Sequence, residues 1–176
     1  MYYATAYGID YAEGKYHSYV QVLPLEKLRG FQWLFKKTVR AHVVLDGQSP
    51  YGSVTLDKPK FEIMPIVNEH TVRFRIKLKL TGTVSELFEK KDIPQIEKEA
   101  AEAVKREIMQ AYRNGLQIEA DIFRLGDRAY RYRLQAWKRV SADGTRFFLD
   151  ERSIEQLDVK VKLRSAGRYK SNRKNS

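Results

Sequence analysis

The chain has 176 residues, a net charge of +11 and no cysteine. This length suits a single domain, which can bury about 70% of its unfolded surface, so stability needs neither a disulfide nor a metal. The composition excludes disulfides, thiolate zinc sites and a cysteine nucleophile, and no apolar run approaches the roughly 20 residues of a membrane span.

The N-terminal part is rich in tyrosine and valine. Residues 2–9 and 15–23 predict two strands, and Gly14 in the loop between them allows a tight turn. Pro24 ends this predicted hairpin. The apolar spacing of residues 25–35, interrupted by Gly30, predicts a short helix or an irregular connector.

A strand is predicted over residues 38–45, closed by the turn signal Asp46-Gly47. A second extended stretch covers residues 54–66 and is broken by Pro59. Pro65 cannot donate a backbone hydrogen bond, so we place it at a sheet edge or a bulge. Together with the next strand, these segments predict an antiparallel meander.

Residues 72–80 alternate strictly between five apolar and four basic side chains. Side chains on a strand point to opposite faces with period two, so this segment forms a strand with one hydrophobic and one cationic face. Phe74 belongs to the hydrophobic face. The pattern recurs in residues 159–164, and two such strands predict a sheet that is covered on one side only.

Two helices are predicted between these strands. The first opens at Asp92-Ile93-Pro94, carries an apolar stripe with helical spacing, and can end near Asn114-Gly115. The second runs from Asp127 to about Trp137, and the last strand covers residues 155–164.

This order predicts an α+β fold: an antiparallel sheet, with a mixed sheet as the alternative, and two helices packed on one face. We expect residues 1–24 to form an N-terminal hairpin segment, residues 25–168 the α+β domain, and residues 169–176 a basic flexible tail.

The sequence offers no catalytic constellation. His17, His42 and His70 are isolated, with no spacing typical of metal ligands. There is no nucleophile elbow and no phosphate-binding glycine loop. We therefore expect a non-enzymatic protein with no catalytic, cofactor-binding or metal-binding residues.

Basic residues are concentrated on the alternating strands and at the C-terminus: from Lys160 onward there are seven and no acidic residue. Such clustering suggests contact with a partner or an anionic surface, although the same residues could simply solubilise an exposed sheet. The candidate contacts are Arg73, Arg75, Lys77, Lys79, Lys160, Lys162, Arg164, Arg168 and Lys170.

Nucleic-acid binding is the alternative function. A base-stacking surface needs aromatic side chains on the same face as the basic ones. Phe74 points away from Arg73 and Arg75, so the sequence makes a nucleic-acid partner the less favoured reading.

The order of segments from about residue 25 to 168 resembles the C-terminal domain of the Ger(x)C family, the C subunits of spore germinant receptors. The resemblance rests on the meander ending in residues 72–86, the long charged helix, the segment 120–126, a helix closing at Trp137, and the strand 159–167. The matching structural positions are Asp121, Phe123, Gly126, Trp137 and Gly167.

Residues 3–10 also resemble the family's N-terminal region. The family's long central region, its signal peptide and its lipid-attachment cysteine have no counterpart here, which suggests a shortened member, a fusion or an engineered protein. The resemblance implies a non-enzymatic subunit that associates with membrane-embedded receptor subunits, with an anionic lipid surface as a further contact. It implies a peripheral location on the outer face of the spore inner membrane, and a role in receptor assembly and nutrient-triggered germination.

Overall fold

The computed structural model describes residues 24–46, 49–68, 70–89 and 91–164. The predicted hairpin up to residue 23 and the basic tail 169–176 lie outside these residues, and the division into three segments remains a prediction.

Four strands form one mixed sheet in the order β1-β2-β3-β4. They are β1 (Arg40–Asp46), β2 (Pro50–Val67), β3 (Val72–Leu87) and β4 (Ile154–Leu163). The first three are antiparallel neighbours, whereas β4 pairs parallel to β3. A parallel pair needs a long crossover, and the residues between β3 and β4 supply it with helices.

The extended stretch predicted over residues 54–66, with a break at Pro59, is part of the single long strand β2, which carries an irregularity there. Pairing with β3 skips from Asp57 to Lys60, and Lys58 has a positive φ of 34° at this point. The pairing of β2 with β1 ends at Asp57. In the part of the chain that the structure describes, Pro65 therefore has a strand partner on one side only, which is β3. A proline is tolerated there because its missing N–H faces no ladder.

The helical part contains α1 (Ile93–Leu116), α2 (Leu125–Tyr132), α3 (Leu134–Val140) and a preceding 3-10 helix, η1 (Leu25–Leu34). The predicted α+β class is confirmed, with the mixed form of the sheet. The predicted second helix is two helices, because Arg133 leaves helical geometry at φ −146° and ψ 50°.

The core lies between the apolar face of the sheet and the helices. Phe74, Ile76 and Leu78 on β3 are at most 1% exposed, and Ile96 and Val104 on α1 are fully buried. Each such side chain contributes roughly 1.5–3 kcal/mol by burial. The alternation of β3 and the stripe of α1 therefore meet in one core, and the other sheet face is left to solvent.

Helix η1 is held closely against α1. A Cβ built on Gly30 would lie 2.0 Å from the backbone oxygen of Glu107, so only glycine fits at this contact. The fully buried Trp33 donates from Nε1 to the Glu107 carboxylate at 2.6 Å. Burial raises the pKa of Glu107, while the Trp33 hydrogen bond opposes this effect.

Candidate interaction surface

The solvent side of β3 and β4 forms the cationic sheet face predicted from the alternation. On it lie Arg73, Arg75, Lys77, Lys79, Lys160, Lys162 and, just after β4, Arg164. Arg168 and Lys170 fall outside the described residues. The structure brings the seven cations onto one face; their contact with a partner or an anionic surface remains a prediction.

Several of these cations already have acidic neighbours. Arg75 donates from Nε to Glu155 at 3.1 Å, and Lys162 lies 3.4 Å from a carboxylate oxygen of Glu97 on α1. Lys77 stands between Glu62 on β2 and Asp158 on β4 in the strand register. These residues form a locally balanced surface.

Two arginines converge on one aspartate at the other end of the face. Arg40 on β1 donates to Asp57 at 2.9 Å, and Arg164 also forms a short ion pair with Asp57. The hydrogen bond from Arg40, together with the charges of both arginines, lowers the pKa of Asp57. Asp57 therefore remains ionised at neutral pH and ties β1 and β2 to the end of β4.

Between these cations with acidic neighbours lies a row of three lysines, here called the lysine row: Lys60, Lys79 and Lys160. Lys79 on β3 is opposite Lys60 on β2 and Lys160 on β4, so three neighbouring strands each supply one cation at the same level. All three are exposed, and among the described residues none of them has an acidic partner. Three adjacent positive charges repel one another, which an anionic ligand would relieve.

Lys60 was not among the residues predicted from the sequence. It opens a short alternation with Phe61, Glu62 and Ile63, and that pattern indicates which face it occupies. The neighbour that it meets depends on the register set by the irregularity at Asp57–Lys60, which the sequence does not reveal.

The aromatic residues of the described strands do not lie on the cationic face. Tyr51 and Phe74 are at most 2% exposed, and Phe61 packs against the same core. Base stacking needs an exposed ring beside the cations. Nothing in this geometry supports nucleic-acid binding by the sheet.

The family-matching positions lie around the junction of α1, α2 and α3. The Asp121 carboxylate accepts hydrogen bonds from the backbone N–H groups of Leu125, at 2.8 Å, and Gly126, at 2.6 Å. It thereby caps the N-terminus of α2. Burial raises the pKa of Asp121 to about 6, although the two backbone hydrogen bonds oppose the shift.

The other described matching positions follow Asp121 in the chain, from Phe123 to Trp137. A Cβ on Gly126 would lie 3.2 Å from Oδ2 of Asp121, so glycine lets the carboxylate approach the helix end. Phe123 stacks on Tyr112 of α1, and Trp137 meets Tyr130 edge-on at 5.0 Å. Gly167 is outside the described residues.

The described residues contain no group of three or more His, Asp or Glu side chains that could hold a metal ion. His42 is within hydrogen-bond distance of Thr55, at 2.9 Å, on the exposed side of β1 and β2. Across the described ranges, no helix combines the length and apolar character needed to cross a membrane.

Comparison with known proteins relates this architecture to spore germination. The fold is similar to the crystal structure of the GerBC protein, with a TM-score of 0.66 and 16% sequence identity. The match covers 84% of this chain and 48% of the GerBC chain, so this chain spans about half of that protein's length. No curated protein sequence matches the chain. The family described as spore germination B3/GerAC like, C-terminal, matches residues 14–167, and the chain belongs to that family.

Proposed function

We propose that the chain is an interaction domain of a spore germinant receptor C subunit, which contributes to receptor assembly and nutrient-triggered germination. The observation that carries this proposal is the family match over residues 14–167. The fold shared with GerBC supports it.

The proposed partners are the other subunits of the receptor, which are membrane proteins. The domain acts as a peripheral protein on the outer face of the spore inner membrane. Its helices cover one side of the sheet, whereas the cationic sheet face is open to solvent and available for docking. An anionic lipid surface is a further contact for the basic residues, at roughly 1 kcal/mol for each one that reaches it.

The proposed role is non-enzymatic. The polar groups that the structure encloses have structural partners: Glu107 accepts from Trp33, and Asn114 donates to the backbone oxygen of Lys27. Asp121 caps a helix. Burial raises the pKa of both Glu107 and Asp121, and each carboxylate accepts hydrogen bonds that hold helices in place.

The test uses spores in which the gene is deleted and then restored with a tagged copy. We expect the deletion to abolish germination in response to at least one nutrient, measured by the loss of absorbance, and the restored copy to recover it. The tagged chain should co-purify with receptor membrane subunits from detergent-solubilised inner membrane. Normal germination of the deleted strain with every nutrient, together with no co-purifying receptor subunit, would refute the proposal.

A further inference from the structure

We infer that the lysine row binds an acidic face of a protein helix, through carboxylates spaced one helical turn apart. The inference deepens the proposed function, on which it rests, because it specifies the chemistry of the partner surface. Nine basic contact residues were predicted from the sequence. The proposed site contains two of them, Lys79 and Lys160, together with Lys60, which was not predicted.

The first argument is local charge. Next to the lysine row, Lys77 on β3 is paired with Glu62 on β2 and with Asp158 on β4. This lysine therefore has an acidic residue on each side. On the other side, Asp57 faces Thr81, and it already accepts from two arginines. The lysine row is therefore a cationic stripe that crosses the strands, and the cations on either side of it have acidic neighbours.

The second argument is spacing. Neighbouring strands lie about 4.8 Å apart, so three lysines at one level span about 10 Å across the strands. On a helix, side chains three or four positions apart are about 5–6 Å apart. Glutamates or aspartates at positions i, i+4 and i+7 of a partner helix can therefore each meet one lysine. In an extended peptide, side chains on the same face are about 6–7 Å apart, which matches the spacing of about 4.8 Å between the lysines less well.

The third argument separates a protein partner from a lipid bilayer. A flat anionic surface laid on this face would also meet Glu62, Asp158 and Glu155, and like charges brought together oppose association. On the described strands the one well-exposed large apolar side chain is Val44 of β1, so the lysine row has no apolar neighbour to insert into lipid. A ligand as narrow as one helix meets the lysines and avoids the acids.

The test measures binding of designed peptides to the purified full chain by fluorescence anisotropy over a salt series. The matched probe is an alanine-rich helix with glutamates at positions i, i+4 and i+7. The control probe has the same composition and charge, with the three glutamates distributed around the helix. We expect tighter binding of the matched probe, and a loss of that preference as salt screens the charges.

The variant Lys60→Gln/Lys79→Gln/Lys160→Gln removes the row. Its matched control, Arg75→Gln/Lys77→Gln/Lys162→Gln, removes the same charge from the same face at positions with acidic neighbours. The row variant should bind the matched probe about tenfold more weakly, the combined effect of three exposed ion pairs, and the control about twofold at most. A single cooperative unfolding transition in both variants shows that the fold is intact.

Three results would overturn the inference: equal binding of the two probes, equal losses in the two variants, or no binding of the matched probe at low salt. Sedimentation with vesicles of phosphatidylserine and phosphatidylcholine addresses the lipid reading. Vesicle binding that depends on the lysine row, without a preference for the matched peptide, would assign the row to lipid and refute the helix. If the peptide binding test fails, the proposed function is still tested separately by the germination and co-purification experiments.

Discussion

Replacing Asp121 with asparagine tests the junction that joins α1 to α2. In the folded protein both carboxylate oxygens of Asp121 accept a backbone N–H, one from Leu125 and one from Gly126. The asparagine side chain keeps one acceptor oxygen and presents an NH2 group in place of the other. One backbone N–H of α2 then loses its acceptor and faces a donor.

The expected cost follows from these two contacts. A hydrogen bond to a charged group contributes about 1.5–3 kcal/mol, and an unsatisfied buried donor costs a similar amount. We therefore expect Asp121→Asn to lower the free energy of unfolding by about 2 kcal/mol at pH 7. For a chain of this size, that corresponds to a decrease in Tm of about 4–8 °C.

The pH dependence gives a second measurement on the same variant. Burial raises the pKa of Asp121 to about 6 in the folded protein, against about 3.9 in an unfolded chain. The folded state then holds the proton more tightly than the unfolded chain does. The stability that Asp121 gains from this tighter proton binding is fully present below about pH 4 and is lost as the pH rises through about 6. Asparagine does not titrate, so the stability difference between wild type and variant should be larger at pH 4.5 than at pH 7.

The assay is urea unfolding followed by circular dichroism at both pH values. Asp127→Asn is the matched control, because Asp127 lies in the first turn of α2, the helix that Asp121 caps, but forms exposed ion pairs with Arg124 and Arg131. Such pairs contribute at most about 1 kcal/mol. Equal effects of the two substitutions would refute the capping role, and a stability difference that is larger at pH 7 than at pH 4.5 would refute the raised pKa.

Three further substitutions test the core, each by thermal and urea unfolding. Gly30→Ala places a methyl group against the backbone of Glu107 and should cost about 3 kcal/mol or more, since η1 must move away from α1; an unchanged Tm would contradict this contact. Trp33→Phe removes the donor to Glu107 and should cost about 1–3 kcal/mol, more at pH 7 than at pH 5 because the unpaired carboxylate is harder to keep ionised. Phe74→Ala empties a fully buried site and should cost about 3–5 kcal/mol; a loss below 1 kcal/mol would mean that the ring is not in the core.

The alternation of residues 72–80 was sufficient to predict a strand, its buried face and the position of Phe74. Strand side chains alternate whatever the strand pairs with, so this inference needs no tertiary information. The apolar stripe of α1 was readable for the same reason, because helical periodicity is local. The order of these segments also carried the family resemblance.

The split of the second helix was not predicted. Tyr132, Arg133 and Leu134 are compatible with a helix in isolation. In the folded chain Arg133 leaves helical geometry, and α2 contacts β2 whereas α3 contacts β3. The parallel direction of β4 was likewise left open by the sequence, because it depends on where the crossover returns the chain.

The charge balance of the cationic face was decided by the tertiary structure. Sequence alone determined that Lys77 and Lys79 point to solvent, since that depends on local alternation. It did not determine that Lys77 stands between two acids while Lys79 stands between two lysines. That difference depends on the register of β2 and β4 against β3, and the register is set by the irregularity at Asp57–Lys60 and by the helical crossover.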